Sequence, residues 1–329
     1  MESSPSEEMP ALRQDLSEFS AAVAQVKAEM GKVMVGQTQL IELMINALFA
    51  DGHILVEGVP GVAKTMAAKL LARSLDLKFS RLQFTPDLMP SDVLGTSVFN
   101  AKTSDFEFHY GPVFAQVLLV DEINRAPAKT QSAMFEVMEE RQVTIDGTTY
   151  PLELPFVAIA TQNPIEQEGT YRLPEAQLDR FLFKIEVGYP NAEEELNILL
   201  NHQHKTSHHD LSEIQPVLSA EQILRYRALV QQVRIEPSLL SYIVAVVQAT
   251  RNSREIYLGA SPRASLNLMV SARVRAAMLG RDFVTPEDVK ALAAPVLQHR
   301  VILTPEREME GATPAEVIQR LVDTVEVPR

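Results

Sequence analysis

A glycine-rich segment with residue types that bind phosphate occupies positions 58–65. The phosphate-binding loop of nucleotide hydrolases reads Gly, four residues, Gly, Lys and Ser or Thr, and this segment departs from it only at Ala63. Backbone N–H groups that point inward, closed by a helix N-terminus, form a cradle for anions. Lys64 would add a point charge for the β- and γ-phosphates, and the Thr65 hydroxyl is an oxygen ligand suited to Mg²⁺. The segment therefore favours a triphosphate site over an ordinary strand-to-helix turn.

Two adjacent carboxylates, Asp121 and Glu122, follow the apolar run 117–120. Ligands of open parallel sheets bind at the carboxyl ends of the strands, so we expect this pair to face the phosphate-binding loop. Asp121 could then hold Mg²⁺, and Glu122 could polarise an attacking water as the general base. Without the loop, an acidic pair after a strand would indicate only the start of a helix.

Asn163 and Arg180, which come later in the chain, could both act near a γ-phosphate. Asn163 ends the next predicted strand, where it could sense the γ-phosphate or orient the water, although an Asn-Pro pair is also a turn signal. Arg180 precedes the last predicted strand and, in a ring of subunits, could enter the neighbour's site as an arginine finger. The alternative for Arg180 is a surface ion pair with Asp179 or another acid.

Arg263 lies in the predicted first turn of a helix that Ser261 and Pro262 begin. A cation at this end opposes the helix dipole, at a cost of up to about 1 kcal/mol. That cost is reasonable if Arg263 reaches a bound phosphate, and we expect it to do so in its own subunit. The alternative is a tolerated surface arginine.

The elements that must position these residues change in character near residue 190. Before it, short apolar runs alternate with helical patterns, which predicts an α/β fold with a parallel sheet flanked by helices. Segments 98–110 and 142–154 alternate in polarity around turn signals and predict two inserted β-hairpins. The later pattern is helical, with strong helix start signals. We predict a disordered tail at 1–11, an α/β core with two N-terminal helices at 12–190, a linker at 191–218 and an all-α domain at 219–329.

The composition excludes several classes of function. The 43 acidic and 30 basic side chains give a formal net charge of −13, which disfavours broad binding to nucleic acid. The absence of cysteine excludes disulfides, thiolate metal sites and a cysteine nucleophile. No apolar run has the length of a membrane span, and the first residues are acidic where a secretory signal is basic. We therefore expect a cytoplasmic protein without membrane insertion.

Four of the seven histidines, His202, His204, His208 and His209, fall within the predicted linker. Imidazole groups suit transition metals, so a metal site is one interpretation of this cluster. Lys205 interrupts the cluster and no carboxylate accompanies it, so a solvated connector is the favoured interpretation.

In chain order, the loop at 58–65, Asp121-Glu122, Asn163, Arg180 and Arg263 resemble the Walker A, Walker B, sensor 1, arginine finger and sensor 2 residues of AAA+ ATPases. More narrowly, the chain resembles the MoxR family over nearly its whole length. The segments that carry this resemblance are 57–65, with Ala63 as the family's own variant, 82–87, 120–126, 162–164 and 173–181. Arg172 is a departure, because a proline is expected there.

The resemblance implies an AAA+ core with a helical lid, assembled as a homo-hexamer that hydrolyses ATP with Mg²⁺. It implies that the adenine lies near Val35 and Gly36. The implied nucleotide-binding residues are Val35, Gly36, Gly58, Pro60, Gly61, Val62, Ala63, Lys64, Thr65, Met66 and Asp121, with Thr65 and Asp121 as the Mg²⁺ ligands. The implied activity is chaperone-like remodelling, maturation or activation of client protein complexes, with partners that carry a von Willebrand factor A domain.

Two other functions stay open from the sequence. A nucleic-acid-associated AAA+ motor would use the two hairpins as DNA probes. Such probes need basic tips, whereas the first hairpin sets Lys102 against Asp105 and Glu107. A regulatory scaffold gated by ATP, with little hydrolysis, would have no need of a general base such as Glu122.

Overall fold

The computed structural model describes residues 5–59, 64–163, 171, 173–203, 211 and 213–328. Four predicted nucleotide-binding residues lie outside this range, as do three of the clustered histidines. They are Pro60, Gly61, Val62 and Ala63 of the loop, and His204, His208 and His209 of the linker. The side chain of His202 also lies outside the description, so the structure does not test the histidine cluster.

The chain up to residue 187 alternates strands and helices, as the sequence predicts. Two helices, α1 and α2, precede the first strand, and the other helices lie between strands. The elements are α1 (Pro5–Gly31), α2 (Thr38–Phe49), β1 (His53–Gly58), α3 (Lys64–Ser74), β2 (Phe79–Gln83), α4 (Pro90–Leu94), β3 (Gly95–Asn100), β4 (Asp105–Tyr110), β5 (Val117–Asp121), α5 (Ala128–Glu140), β6 (Gln142–Ile145), β7 (Thr148–Pro151), β8 (Val157–Gln162), α6 (Glu175–Leu178) and β9 (Phe181–Val187).

The central sheet has five strands in the order β2-β5-β8-β1-β9, and every neighbouring pair is parallel. All strands therefore end at the same edge of the sheet, which brings Gly58, Asp121 and Gln162 together. The opposite edge carries the strand starts, where His53 of β1 pairs with Phe181 of β9. Strands β5 and β8 are almost completely buried because helices cover both faces. The predicted α/β fold is confirmed.

Both predicted hairpins are present. In the first, β3 pairs with β4 in antiparallel register, and it begins at Gly95, earlier than predicted. Gly95 has φ +104, and a Cβ there would lie 2.3 Å from the carbonyl oxygen of His109. In the second, β6 and β7 are joined by Asp146 and Gly147, both with positive φ, as a tight hairpin turn requires. Side chains of the two hairpins meet where the ring of Phe108 stacks on that of Tyr150 at 4.2 Å.

The C-terminal part of the chain is mainly helical, as predicted. Its elements are α7 (Ala192–Gln203), α8 (Ala220–Val230), α9 (Pro237–Asn252), β10 (Ile256–Leu258), α10 (Pro262–Met278), α11 (Pro286–Leu297), β11 (Ile302–Leu303), α12 (Pro305–Met309) and α13 (Pro314–Thr324). The prediction of an all-α region needs one correction, since β10 and β11 form a small antiparallel sheet. Strands of three and two residues are too short to produce a recognisable period.

Helix α1 also differs from prediction, because it begins at Pro5 and so includes most of the predicted tail. The Glu, Met, Ala and Leu residues of this stretch favour helix, and a proline is tolerated at the first position, where Pro5 lies, although Pro10 lies inside the helix. Helices α1 and α2 both contact the C-terminal part of the chain. The Ser20 hydroxyl donates to the carbonyl of Met278 in α10 at 2.9 Å, and Asn46 of α2 donates to the carbonyl of Ser271 at 3.0 Å.

The hydrophobic core lies on both faces of the sheet. On one face it continues from α1, α2 and α3 into the C-terminal helices without a break. On the other face a smaller cluster packs around α5 and includes Phe135 and Phe156. Among the described helices, none combines the length and apolar character that crossing a membrane requires. The continuous core fixes the C-terminal helices against the sheet, which matters for the position of Arg263.

Candidate active site

Lys64 is the first residue of α3 and lies at the carboxyl edge of the sheet. Its Nζ donates to the carbonyl of Gly58 at 2.6 Å and lies 3.5 Å from the carbonyl of Gln162. Burial lowers the pKa of Lys64, and the charges of Asp121, Glu122 and Glu57 act in the opposite direction. The ammonium group is therefore held between two strand ends, with the two carboxylates close enough to stabilise its charge. Thr65 and Met66 follow it in the half-buried first turn.

Asp121 is the last residue of β5, and its carboxylate is almost fully buried. One oxygen, Oδ1, accepts from the Thr161 hydroxyl at 3.2 Å, and Oδ2 accepts from Arg81 Nε at 2.7 Å. Arg81 is a residue that the sequence analysis missed. It lies on β2, which pairs with β5, so the contact depends on strand order and has no local sequence signal.

Glu122 adopts φ +55, a left-handed conformation that is rare for residues other than glycine. Its backbone N–H donates to the Thr161 hydroxyl at 3.1 Å. Its Oε2 accepts from Gln83 Nε2 at 2.7 Å and lies 3.3 Å from Arg125 Nε. Such conformations persist where surrounding contacts enforce them, and they concentrate at functional sites. Gln83 is a second residue on β2 without a sequence signal for its role.

The structure brings Asn163 to the same edge as Lys64 and Asp121. It follows β8 directly, and β8 lies between β5 and β1 in the sheet. Its side chain is buried. The predicted γ-phosphate side of the site is therefore assembled from the ends of three adjacent strands, with the loop side formed by Gly58 and the start of α3.

Val35 and Gly36, the implied adenine position, are half-buried in the connection between α1 and α2. Gly36 has φ +70, and a Cβ built on it would lie 2.5 Å from Oε1 of Glu194. Glu194 is in the first turn of α7, where its Oε2 accepts from the backbone N–H of Asn191 at 2.9 Å. A side chain at position 36 would therefore be strained by its backbone and would displace this carboxylate.

Arg180 and Arg263 lie together at the opposite edge of the sheet. Arg180 precedes Phe181, which pairs with His53 at the start of β1. Both guanidinium groups contact the carboxylate of Glu139, which lies near the C-terminal end of α5. Nη1 of Arg180 contacts Oε2, and Nη1 of Arg263 lies 3.5 Å from Oε1. The sequence analysis assigned Glu139 no role.

Arg263 was predicted to reach its own subunit's phosphates, whereas the structure places it away from the residues predicted to bind them. Arg180, Arg263 and Glu139 line one surface cleft together with His53, at the start of β1. Gly58 and the phosphate-binding loop are at the other end of β1, a strand of six residues. At roughly 3.3 Å per residue, the two ends of that strand are separated by about 17 Å. Arg263 lies far from the loop because the first turn of α10 is fixed against the starts of the strands.

Asp179 provides that attachment. Its Oδ2 accepts from the hydroxyl of Ser261, directly before α10, at 3.1 Å, and its Oδ1 accepts from Arg300 Nε at 2.6 Å. Arg300 is buried, and burial lowers its pKa to about 10. Asp179 is thus not the partner of Arg180, and the acid that Arg180 contacts is Glu139.

The residues at the carboxyl edge fit a magnesium nucleotide. Within the described residues, no three His, Cys, Asp or Glu side chains are grouped so that they alone could hold a metal ion. The Asp121 carboxylate and the Thr65 hydroxyl are hard oxygen ligands, and Mg²⁺ commonly takes one or two protein ligands with phosphates and water as the rest. The donor set therefore suits Mg²⁺ that arrives with a triphosphate.

Comparison with known proteins agrees with this arrangement. Residues 53–183 match the family model described as ATPase family associated with various cellular activities (AAA), and residues 248–321 match the AAA lid domain. The chain is therefore an AAA+ ATPase that binds nucleotide.

Full-length relatives define the family more narrowly. The chain is 48% identical over 299 residues to the uncharacterized protein YeaC of Bacillus subtilis, which covers 91% of this chain and 92% of YeaC. It is 46% identical over 310 residues to chaperone MoxR1 of Mycobacterium tuberculosis, covering 92% of this chain and 81% of MoxR1. A crystal structure of a Cytophaga hutchinsonii protein superposes with a TM-score of 0.89 at 42% identity, covering 98% of this chain and 99% of that one. The chain belongs to the MoxR family of AAA+ ATPases.

Proposed function

We propose that this ATPase acts as a ring of identical subunits, in which each ATP site is completed by Arg180 and Arg263 of a neighbour. One observation carries the proposal: the phosphate-binding residues and the two arginines lie at opposite edges of one sheet. A single subunit therefore has half of a site at each edge. Head-to-tail contact between subunits would join the two halves, and such contacts form a ring when the rotation between subunits closes. The resemblance to AAA+ proteins favours six subunits.

At the carboxyl edge, each residue has a distinct role in the proposal. Lys64 and the loop at 58–65 bind the phosphates, and Val35 and Gly36 border the adenine. Glu122 accepts a proton from the attacking water, which Asn163 orients. Thr65 and Asp121 would hold Mg²⁺, which neutralises phosphate charge when bound. The hydrogen bond from Gln83 to Oε2 restrains the carboxylate of Glu122 and would compete with the attacking water for that oxygen.

We further propose that the client is a protein complex, which the ring remodels, matures or activates. The support is the relative named chaperone MoxR1 and the character of the first hairpin. Its tip exposes Phe99 and Phe106, whose rings lie 5.3 Å apart, and this apolar pair suits polypeptide better than phosphate. A docking partner with a von Willebrand factor A domain belongs to the same proposal.

Turnover of single variants tests the shared site. Lys64→Ala should abolish ATP binding, whereas Arg180→Ala and Arg263→Ala should bind ATP with wild-type affinity and lose about 10³-fold in kcat, as removal of arginine fingers does. Specific activity of the wild type should rise with protein concentration as subunits associate. Activity that is independent of concentration down to a demonstrated monomer would contradict the proposal.

Client capture is a separate test. A Glu122→Gln variant should retain client on the ATP-bound form, and proteins recovered with it should be absent from a parallel Lys64→Ala preparation. Identical proteins in both preparations would count against a client held by the ATP-bound state.

A further inference from the structure

We propose that Glu139 is a positioning residue, which pairs Arg180 with Arg263 so that both guanidinium groups reach the neighbouring subunit's nucleotide as one unit. This inference rests on the proposed function, because it assigns a task to the edge that the neighbour would meet. It concerns the arrangement of the two arginines and adds no chemical step.

The contacts of Glu139 are divided between the two arginines. Oε2 contacts Nη1 of Arg180, and Oε1 lies 3.5 Å from Nη1 of Arg263. The arginines come from separate elements, one from the loop before β9 and the other from the first turn of α10. Two like charges that share one carboxylate repel each other, and the attraction of each to the carboxylate offsets that repulsion and holds them together.

The dipoles of α5 and α10 disfavour two of the three charges in this cluster, those of Glu139 and Arg263. Glu139 lies in the last turn of α5, which has no basic residue, so its carboxylate faces the negative end of the helix dipole. Arg263 lies in the first turn of α10, which has no acidic residue, so its charge faces the positive end. Each placement is unfavourable alone and is compensated by the other. Neither helix by itself accounts for its charged residue, whereas the contact between the two residues does.

The cluster remains accessible to a neighbouring subunit. The side chains of Arg180, Glu139 and Arg263 are 32%, 39% and 44% exposed. A guanidinium has five N–H donors, and the contact with Glu139 uses few of them. The two arginines can therefore keep their carboxylate partner and still donate to a phosphate across a subunit interface.

The cluster is also tied to the lid at a second point. Asp179, directly before Arg180, accepts a hydrogen bond from Ser261, two residues before Arg263. The backbones that carry the two arginines are thus fixed relative to each other without Glu139. Loss of Glu139 should release the side chains only, so a variant is expected to fold and assemble normally.

Mixed assemblies test the inference separately from the proposed function. Arg180→Ala subunits have intact ATP sites, and Lys64→Ala subunits have intact arginines, so a mixture should regain ATPase activity that neither has alone. A mixture of Arg180→Ala with the double variant Lys64→Ala/Glu139→Ala should regain at least about tenfold less ATPase activity than the first mixture. The reason is that a misplacement of about 1 Å can cost 10²-fold in rate. No recovery in the first mixture contradicts the proposed function. Equal recovery in both mixtures overturns only the role of Glu139.

Homogeneous variants give a second readout that a purely structural role would not move. Glu139→Ala should lower kcat about 10- to 100-fold, while KM for ATP stays within about twofold of wild type. Glu139→Asp should recover part of kcat, since it restores the charge at a shorter reach. The matched control is Glu140→Ala, which removes the next carboxylate on the same helix end and should leave kcat unchanged. A rise in KM without loss of kcat, or an equal loss in the Glu140 variant, would overturn the inference.

Discussion

Glu122 and Gln83 form the contact that most directly concerns the chemical step. The proposed base is held at φ +55 and accepts a hydrogen bond from Gln83 at 2.7 Å. A hydrogen bond to a charged group is worth about 1.5–3 kcal/mol, so this contact competes with a water for Glu122. We expect Gln83→Ala to raise the basal kcat severalfold without changing ATP affinity. Steady-state phosphate release at saturating ATP measures this.

Thr85→Ala is a suitable control for that experiment, because Thr85 follows β2 and no described hydrogen bond joins it to Glu122. A Gln83→Ala enzyme whose kcat is equal to or below wild type would show that the contact does not restrain the base.

His53 predicts a pH dependence of stability. It is buried at the start of β1, where Nδ1 accepts from the N–H of Ala158 and Nε2 donates to the carbonyl of Met138. Burial lowers its pKa to about 4, from an ordinary value near 6.5. Between these values the unfolded chain binds more protons than the folded one, so stability falls as pH is lowered from about 6.5 to 4. The loss is about 3 kcal/mol, and urea unfolding at pH 7 and pH 4.5 would measure most of it.

His53→Asn should make the unfolding free energy less dependent on pH across this window, although buried His299, whose pKa burial also lowers, contributes in the same direction. His109 is exposed on the first hairpin, so His109→Asn should leave the pH dependence unchanged. An equally steep dependence in the His53 variant would contradict the assignment.

The positions of single residues at the carboxyl edge of the sheet were predictable where a motif is contiguous in sequence. Lys64, Thr65, Asp121 and Asn163 each follow or end an apolar strand, and parallel strands bring their ends together. Arg81, Gln83 and Glu139 were not predictable, because each acquires its partner through tertiary packing. For Arg81 and Gln83 the cause is the adjacency of β2 and β5. For Glu139 it is the meeting of a helix end with the lid.

At the scale of elements, Asp179 joins the lid to the sheet. Its carboxylate pairs with Arg300, whose side chain is almost completely buried. Removal of one partner of a buried pair leaves an uncompensated charge and typically costs 3–5 kcal/mol. We therefore expect Asp179→Ala to lower the unfolding free energy by about 3 kcal/mol and to lower Tm by several degrees. Thermal and urea unfolding measure both quantities.

Glu310→Ala is the matched control, since it breaks an exposed pair with Arg307 and should change stability by less than about 0.5 kcal/mol. Equal effects of the two variants would show that Asp179 is not a structural tie.

The elements themselves were predictable where they are long and periodic. Strands β5 and β8 are continuous apolar runs, which is the pattern that predicted a parallel sheet covered on both faces. The short strands β10 and β11 were not predicted, whereas helix α13, with its buried Val317, Ile318 and Val322, lies within the predicted all-α domain. A strand of two or three residues has too few positions for a period, and its pairing depends on the helices that bring it into place.

At the scale of the whole molecule, the predicted phosphate-binding residues and the two arginines lie at opposite edges of the sheet. The sequence predicted Arg263 beside its own subunit's nucleotide, whereas the structure places it at the other edge of the sheet. Its position depends on how α10 packs, and the pattern of α10 alone contains no information about which edge of the sheet its first turn meets. The continuous core between α1, α2 and the C-terminal helices fixes that packing. The molecule is therefore expected to depend on neighbours for turnover.

A mixture of Arg180→Ala and Arg263→Ala subunits tests this claim most directly. Because both arginines lie on one cluster, every interface in such a mixture lacks one of them, and the mixture should stay as inactive as either variant alone. If Arg263 instead served its own subunit, an Arg180→Ala subunit beside an Arg263→Ala neighbour would have a complete site, and activity would return. The Arg180→Ala and Lys64→Ala mixture serves as the positive control for subunit exchange. Continued inactivity beside a recovering control is the expected result, and recovery of ATPase activity in the arginine mixture would contradict the account.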